Sequence, residues 1–155
     1  MLEPKRLEYV EEKIKMAIDN LKAGYSCSEA VLLTYCPQLG LDQELAFKIA
    51  SGFGGGMGYM GETCGAVTAA YMVLGLKYGA NSLKDSYSRE FTYESVSNFA
   101  DLFRKRNGST YCRDLISGID MSTIEGRKHI REKKMVPKIV SDAIIILEEI
   151  FEGND

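Results

Sequence analysis

Three of the four cysteines, Cys27, Cys64 and Cys112, follow a serine or threonine by one or two residues. Serine and threonine are frequent N-cap residues, so this pattern predicts Cys27 and Cys64 at the first position of a helix and Cys112 at the second. The free N–H groups and the positive dipole end at a helix start stabilise a thiolate, the form of cysteine that attacks disulfides and binds metals. All three are therefore candidate catalytic residues. Cys64 is the leading candidate because it joins a glycine-rich segment to a helix.

The same pattern also has a purely structural interpretation, because free cysteine is among the most frequently buried residue types. Cys36 lies nine residues after Cys27 and is expected on the opposite side of that helix, so it is interpreted as a core or surface thiol outside the site. The chain has neither a Cys-x-x-Cys pair nor zinc-ribbon spacing. Tertiary folding would have to bring the other three thiols together.

The glycine-rich segment runs from Gly52 to Gly65 and holds seven of the 15 glycines. Glycine permits backbone conformations that other residues avoid, and consecutive N–H groups in such a segment can bind an anion. The lysine and serine or threonine of a P-loop are missing. Two interpretations stay open: a loop that lets two backbone segments pass closely, or a loop that wraps the Cys64 sulfur or a small ligand. The candidate ligand-contacting residues are Gly54, Gly55, Gly56 and Gly65.

Apolar residues recur at helical spacing along most of the chain, and strand-like alternation is weak. The sequence predicts an all-α fold in which residues 1–155 form a single compact domain of about six helices, with the glycine-rich loop before the central helix. The predicted segments are 4–24, 27–40, a helix after Asp42, 64–78, 82–107, a short element after Thr110, and 137–151. The last segment is apolar over much of its circumference, which indicates a central helix or one shared in a homodimer.

Composition narrows the class of protein. The 19 basic and 22 acidic residues leave a net charge of −3, which argues against a dedicated nucleic-acid binder. No apolar run approaches the roughly 20 residues of a membrane helix, and the first residues lack the apolar core of a signal peptide. We therefore expect a cytoplasmic protein without membrane insertion. Stable disulfides are uncommon in the cytoplasm, so the cysteines need another explanation.

A basic stretch covers residues 127–134 and includes His129, the single histidine. Such a stretch can contact phosphate or an acidic partner, or it can be a solvated surface. The solvated surface is the favoured interpretation, for the stretch and for His129, because no ligand or catalytic motif surrounds the histidine.

These pieces together resemble a family of redox-active proteins named for a C-GCAxxG-C-C cysteine pattern. The resemblance covers roughly residues 24–150 and implies redox or metal chemistry at the three cysteines, without naming a substrate. A similar helical module is fused to haem-bearing cytochromes, which adds an iron–sulfur site to the hypotheses. The matching pieces are Tyr25-Ser26-Cys27-Ser28-Glu29-Ala30, Gly52-Phe53-Gly54-Gly55-Gly56, Cys64-Gly65-Ala66 and Cys112-Arg113-Asp114-Leu115.

The chain departs from the family pattern at two places. Ala69 stands where the cysteine-glycine-alanine motif is expected to end in glycine. The family also has a fourth cysteine just before the last helix, where this chain has none in residues 135–140. Iron–sulfur sites commonly use four thiolates, so the second departure weighs against a four-thiolate cluster.

Three hypotheses follow. The leading one is a cysteine-based redox protein with thiol/disulfide or electron-transfer chemistry at Cys64, assisted by Cys27 and Cys112, acting with an unknown redox partner. The second is an iron–sulfur or other metal-binding protein in which the same three cysteines are the ligands. The third is a non-catalytic helical oligomerisation module, in which the cysteines are dispensable.

Overall fold

The computed structural model describes residues 3–155, and within that range it contains no β-strand. The segment α4 is a single turn in which Gly55 and Gly56 have left-handed φ/ψ, so the described chain has eight α-helices. The all-α prediction is confirmed, whereas the predicted number of about six helices is too low. The helical segments are α1 (Pro4–Ala23), α2 (Cys27–Tyr35), α3 (Gln43–Ser51), α4 (Gly54–Met57), α5 (Gly65–Tyr78), α6 (Ser86–Asn107), α7 (Cys112–Leu115), α8 (Ile124–Lys133) and α9 (Met135–Asn154).

The helix that the sequence pattern failed to predict is α8. Charged residues fill most of it, and Ile130 is its one buried residue. The apolar periodicity that identifies the other helices is therefore missing. Its start is nevertheless capped in the ordinary way, because the Thr123 hydroxyl accepts a hydrogen bond of 3.0 Å from the Gly126 N–H.

The start of α2 confirms a predicted capping box. The Glu29 N–H donates to Ser26 Oγ at 3.4 Å, and the Ser26 N–H donates to Glu29 Oε1 at 2.8 Å. This reciprocal pair satisfies two backbone donors and fixes the direction in which the helix leaves the preceding turn. Cys27 consequently occupies the first helical position, as the sequence predicts.

The starts of α5 and α7 differ from the prediction. Cys64 precedes the first residue of α5 instead of occupying it, and Cys112 is the first residue of α7 instead of the second. Neither helix has a side-chain cap, so the expected capping by Thr63 and Thr110 is wrong. The physical reason is an isolated antiparallel bridge between Thr63 and Tyr111, which holds both segments extended up to the point where the helices begin.

The last helix, α9, lies at the centre of the packing. It packs against α1, α2, α5 and α6, with α8 at its N-terminal end. Most of its apolar residues are buried in the main core, which all of these helices except α8 share. The apolar residues of α9 are thus covered by other helices of the same chain. The homodimer stays a prediction. No helix within the described range is both long and apolar enough to cross a membrane.

Candidate functional site

Cys27 and Cys64 come together where the N-terminal ends of α2 and α5 meet. These two helices form the most extensive helix pair in the molecule. Cys27 packs against the core cluster that contains Cys64, and the two thiols lie close enough that each shifts the pKa of the other. All four cysteines of the chain are free thiols, so this contact joins two unoxidised side chains. It places a potential attacking sulfur directly beside a potential resolving one.

The absence of a side chain at Gly65 makes this approach possible. A Cβ atom at this position would lie 2.6 Å from Cys27 Sγ and 3.0 Å from the Phe53 carbonyl oxygen. A real Cβ cannot approach a sulfur atom so closely without a shift of the backbone or the thiol. Gly65 therefore provides space for the Cys27 sulfur at the start of α5.

Cys112 is held next to this pair by the backbone bridge. The Cys64 N–H donates to the Thr110 carbonyl at 2.8 Å, and the Cys112 N–H donates to the Glu62 carbonyl at 2.7 Å. On its other side, Cys112 packs against Gly56, where an added Cβ would lie 2.6 Å from the Cys112 Cβ. Gly56 also has a φ of +68°, which favours glycine. Cys112 is 7% exposed and belongs to a small second core with Ile116 and Ile130.

The turn α4 contacts Cys27 through its backbone. The backbone N–H groups of Gly55, Ser28 and Ala66 stabilise the thiolate form of Cys27 and lower its pKa. Gly54 packs against Ser26, and a Cβ at Gly54 would lie 3.0 Å from the Ser26 Cβ. Of the four candidate glycines, Gly65 packs against the Cys27 sulfur and Gly56 against Cys112, whereas Gly54 packs against Ser26.

The three thiols differ in acidity. The hydrogen bond from Cys64, followed by the N–H groups of Gly55, Ser28 and Ala66, outweighs burial and lowers the pKa of Cys27 to about 7. The same hydrogen bond raises the pKa of Cys64 well above its ordinary value, because Cys64 is the donor, and burial adds to this effect. Burial, with a smaller contribution from charge on Cys27, raises the pKa of Cys112 to about 11.

These directions correct the sequence-based prediction that all three helix starts favour a thiolate, with Cys64 foremost. Cys27 receives N–H groups from its own helix, from α4 and from the start of α5, whereas Cys64 receives only those of Ala66 and Val67 at the start of α5. Donors that come from three separate elements cannot be recognised from local sequence. The pKa of Cys27 is lowered, whereas the pKa values of Cys64 and Cys112 are raised, so Cys27 is the most acidic of the three thiols.

Cys36 lies in the main core, in agreement with its interpretation as a thiol outside the site. It is fully buried and its thiol donates to the Leu33 carbonyl at 3.6 Å. Burial raises the pKa of Cys36. Within residues 3–155, no three His, Cys, Asp or Glu side chains are arranged as a metal-binding group.

A cavity of about 690 Å³ opens beside Cys27. Cys27 is half-buried and is the one cysteine among its lining residues, whereas Cys64 is 4% exposed and lies behind it. The walls come from the end of α1, the start of α2, the turn α4, and the region from α8 to the start of α9. Val136 and Pro137, within the stretch where the resembled family carries its fourth cysteine, form part of the last wall.

The basic stretch contributes to this cavity, which the sequence analysis did not anticipate. Arg127, Arg131 and Lys134 line it, together with Lys22 from α1. His129 is exposed and is not among the lining residues, in keeping with its interpretation as a solvated side chain. In the sequence, intervals of four and three residues predict a shared helix face for Arg127, Arg131 and Lys134. This spacing was the signal from which their grouping could have been predicted. Sequence alone does not show what that face covers.

Comparison with known proteins gives one match. A family model described as "Putative redox-active protein (C_GCAxxG_C_C)" matches residues 25–150. That range includes all four cysteines and most of the cavity wall. No curated protein and no solved structure matches the chain.

Proposed function

The chain belongs to the C_GCAxxG_C_C family of redox-active proteins, and we propose that it carries out thiol–disulfide chemistry in which Cys27 attacks and Cys64 resolves. The observation that carries this proposal is the packing of the Cys64 thiol beside the Cys27 sulfur, where each thiol shifts the pKa of the other. It lowers the pKa of Cys27 and at the same time holds the second thiol within reach of the first.

The exposure of the two sulfurs supports this division of roles. Cys27 lines the cavity, so a substrate disulfide can reach its sulfur. Cys64 is almost fully buried behind it, where it can react with a mixed disulfide on Cys27 but not with a bulky external one. A thiol whose pKa is near the ambient pH is also the fastest attacking thiol in disulfide exchange.

The proposed cycle transfers two electrons from the protein dithiol to the substrate disulfide. The Cys27 thiolate attacks one sulfur of a substrate disulfide, and the second substrate sulfur leaves as a thiolate. Cys64 then transfers its proton to the departing thiolate and attacks the Cys27 sulfur, which expels the remaining substrate sulfur and forms a Cys27–Cys64 disulfide. The protein dithiol is oxidised to a disulfide, and the substrate disulfide is reduced to two thiols.

Cys112 has a different proposed role. Its pKa of about 11 keeps it protonated at neutral pH, so it does not compete with Cys27 as the attacking thiol. Its position beside the pair, fixed by the hydrogen bond to Glu62, makes it a third thiol for exchange with an oxidised Cys27–Cys64 pair.

The iron–sulfur hypothesis fits the residues less well. Clusters of this type commonly use four thiolates, and the fourth cysteine of this chain lies in the main core. We therefore derive no step through a cluster.

Alkylation kinetics test the proposal. We expect iodoacetamide to modify Cys27 first, with a pH midpoint near 7, as measured by peptide mass spectrometry. Cys64→Ala removes the hydrogen-bond donor, so it should move this midpoint towards the value of about 8.5 for a free thiol. Cys64→Ser retains a hydroxyl donor and should restore most of the shift. Cys36→Ser, at a buried thiol outside the site, is the control and should leave the midpoint unchanged.

Two outcomes would overturn the proposal. Modification of Cys64 before Cys27, or a midpoint that Cys64→Ala does not move, would show that the hydrogen bond does not control the chemistry. Near-stoichiometric iron and sulfide in anaerobically purified protein, with absorbance beyond the aromatic band, would replace thiol exchange by the iron–sulfur hypothesis.

A further inference from the structure

The cavity beside Cys27 carries an excess of positive charge. Its lining includes four cationic side chains, those of Lys22, Arg127, Arg131 and Lys134, against the single carboxylate of Glu29. The Glu29 carboxylate is already engaged, because it accepts the Ser26 N–H of the capping box at 2.8 Å. None of the ion pairs found among the described residues includes any of these four cations.

One of these cations, Arg127, is held in place by neighbouring residues. Arg127 Nη1 donates to the Met121 carbonyl at 2.8 Å. The Arg127 guanidinium lies over the Tyr59 ring, 4.3 Å from its centroid. Tyr59 in turn packs against Gly55, the residue whose N–H reaches the Cys27 sulfur. A guanidinium held by these two contacts loses little entropy when it binds an anion.

The remaining wall is largely non-polar. A volume of about 690 Å³ falls within the range typical of small-molecule sites. A small molecule bound there would meet both apolar surface and cationic side chains. The apolar lining side chains are those of Ile18, Leu21, Tyr25, Met121, Ile130 and Val136.

We propose that this cavity selects small anionic disulfides as the substrates of Cys27. The inference rests on the proposed thiol–disulfide function and adds to it the charge and size of the substrate. The cations attract carboxylates or similar groups of the disulfide, and they stabilise the anionic thiol that leaves. The volume of about 690 Å³ matches a small molecule, and a disulfide of a folded protein would have to reach Cys27 between several helices.

The covalent step remains the exchange described above. The Cys27 thiolate forms a bond with one sulfur of the anionic disulfide, and the disulfide bond of the substrate breaks. The leaving thiolate departs past the cations and takes up the proton of Cys64. Attack of Cys64 on Cys27 then releases the second anionic thiol. The substrate gains two electrons and the Cys27–Cys64 pair loses them.

The test compares two aromatic disulfides that differ in charge. Dithiobis(nitrobenzoate) carries two carboxylates, and dithiodipyridine is neutral. The rate constant of the protein with each probe is divided by that of a small neutral thiol, N-acetylcysteine amide, at the same pH. The ratio of the two normalised constants, anionic over neutral, measures charge selection and cancels any change in the intrinsic reactivity of Cys27.

We expect this selectivity ratio to exceed one in the wild type and to fall by about threefold to tenfold in the double variant Arg131→Gln/Lys134→Gln. The control Lys128→Gln/Lys133→Gln removes the same charge from exposed positions of α8 outside the cavity lining and should change the ratio far less. Added salt should lower the wild-type ratio, because the Debye length shrinks from about 30 Å at 0.01 M to about 3 Å at 1 M.

The outcomes separate this inference from the function on which it rests. Equal falls of the ratio in both double variants, or a wild-type ratio of one or less, would overturn charge selection while Cys27 still reacts rapidly with both probes. If Cys27 reacts with neither probe faster than the small thiol does, the proposed function itself fails.

Discussion

At the scale of single residues, the site depends on the absence of a Cβ atom at two glycines as much as on the thiols. Gly65 leaves room for the Cys27 sulfur, and Gly56 leaves room for the Cys112 Cβ. Both contacts would be 2.6 Å if the glycines carried a Cβ. The conformational freedom that the sequence analysis emphasised matters at Gly56, whose φ is positive, but at Gly65 the requirement is space alone.

Gly65→Ala should therefore affect stability and chemistry together. Overpacking typically costs about 1–3 kcal/mol in the free energy of unfolding. The displaced Cys27 sulfur should also lose part of its hydrogen bonding, so its pKa should rise. Urea unfolding and the pH profile of alkylation measure the two effects.

Gly75→Ala is the matched control in the same helix, because a Cβ at Gly75 meets no atom within 4 Å. It should leave the Cys27 pKa unchanged and add up to about 1 kcal/mol of stability through helix propensity. An unchanged Cys27 profile in Gly65→Ala would show that the close approach has no influence on the thiolate.

At the scale of the elements, a buried carboxylate joins three helices far from the thiols in sequence. Glu148 of α9 is 1% exposed, accepts the Tyr35 hydroxyl of α2 at 2.8 Å and pairs with Arg6 of α1 at 3.0 Å. Burial raises the pKa of Glu148, although Tyr35 and Arg6 act in the opposite direction. This junction holds α1 and α2, two walls of the cavity, against the central helix.

The raised pKa has a defined consequence for stability. The folded protein binds the Glu148 proton more tightly than the unfolded chain does. The resulting stabilisation is complete below the ordinary pKa of 4.5 and is lost as the pH rises through the folded-state value. The free energy of unfolding of the wild type should therefore fall relative to Glu148→Gln as the pH rises above about 4.5.

Urea titrations at several pH values measure this difference. Glu149→Gln, at an exposed neighbouring position, is the control and should remain within about 1 kcal/mol of the wild type throughout. A difference between the wild type and Glu148→Gln that grows with pH in favour of the wild type would contradict the raised pKa.

At the scale of the whole molecule, the sequence predicts the local features and misses those that depend on tertiary contacts. Proline at the start of α1, Gly24 after its end and the Ser26–Glu29 capping box all act within a few residues, so they are recognisable in the sequence. The Thr63–Tyr111 bridge joins segments far apart in the chain and shifts two predicted helix starts. The assignment of the thiolate to Cys27 depends on donors from α4 and α5, which no local pattern contains.

The proposed disulfide would link the start of α2 to the start of α5, the helix pair that packs most extensively. Oxidation of Cys27 and Cys64 would close a loop of about 37 residues, for which chain entropy predicts a stabilisation of about 3–4 kcal/mol. Because the two thiols pack side by side before oxidation, little rearrangement should oppose this gain. We expect the urea midpoint of the wild type to increase after stoichiometric oxidation and to return on reduction.

Cys64→Ser should show no such increase, whereas the buried-thiol control Cys36→Ser should respond like the wild type. A lower midpoint for the oxidised wild type would mean that the disulfide distorts the helix ends, and it would contradict the expected stabilisation.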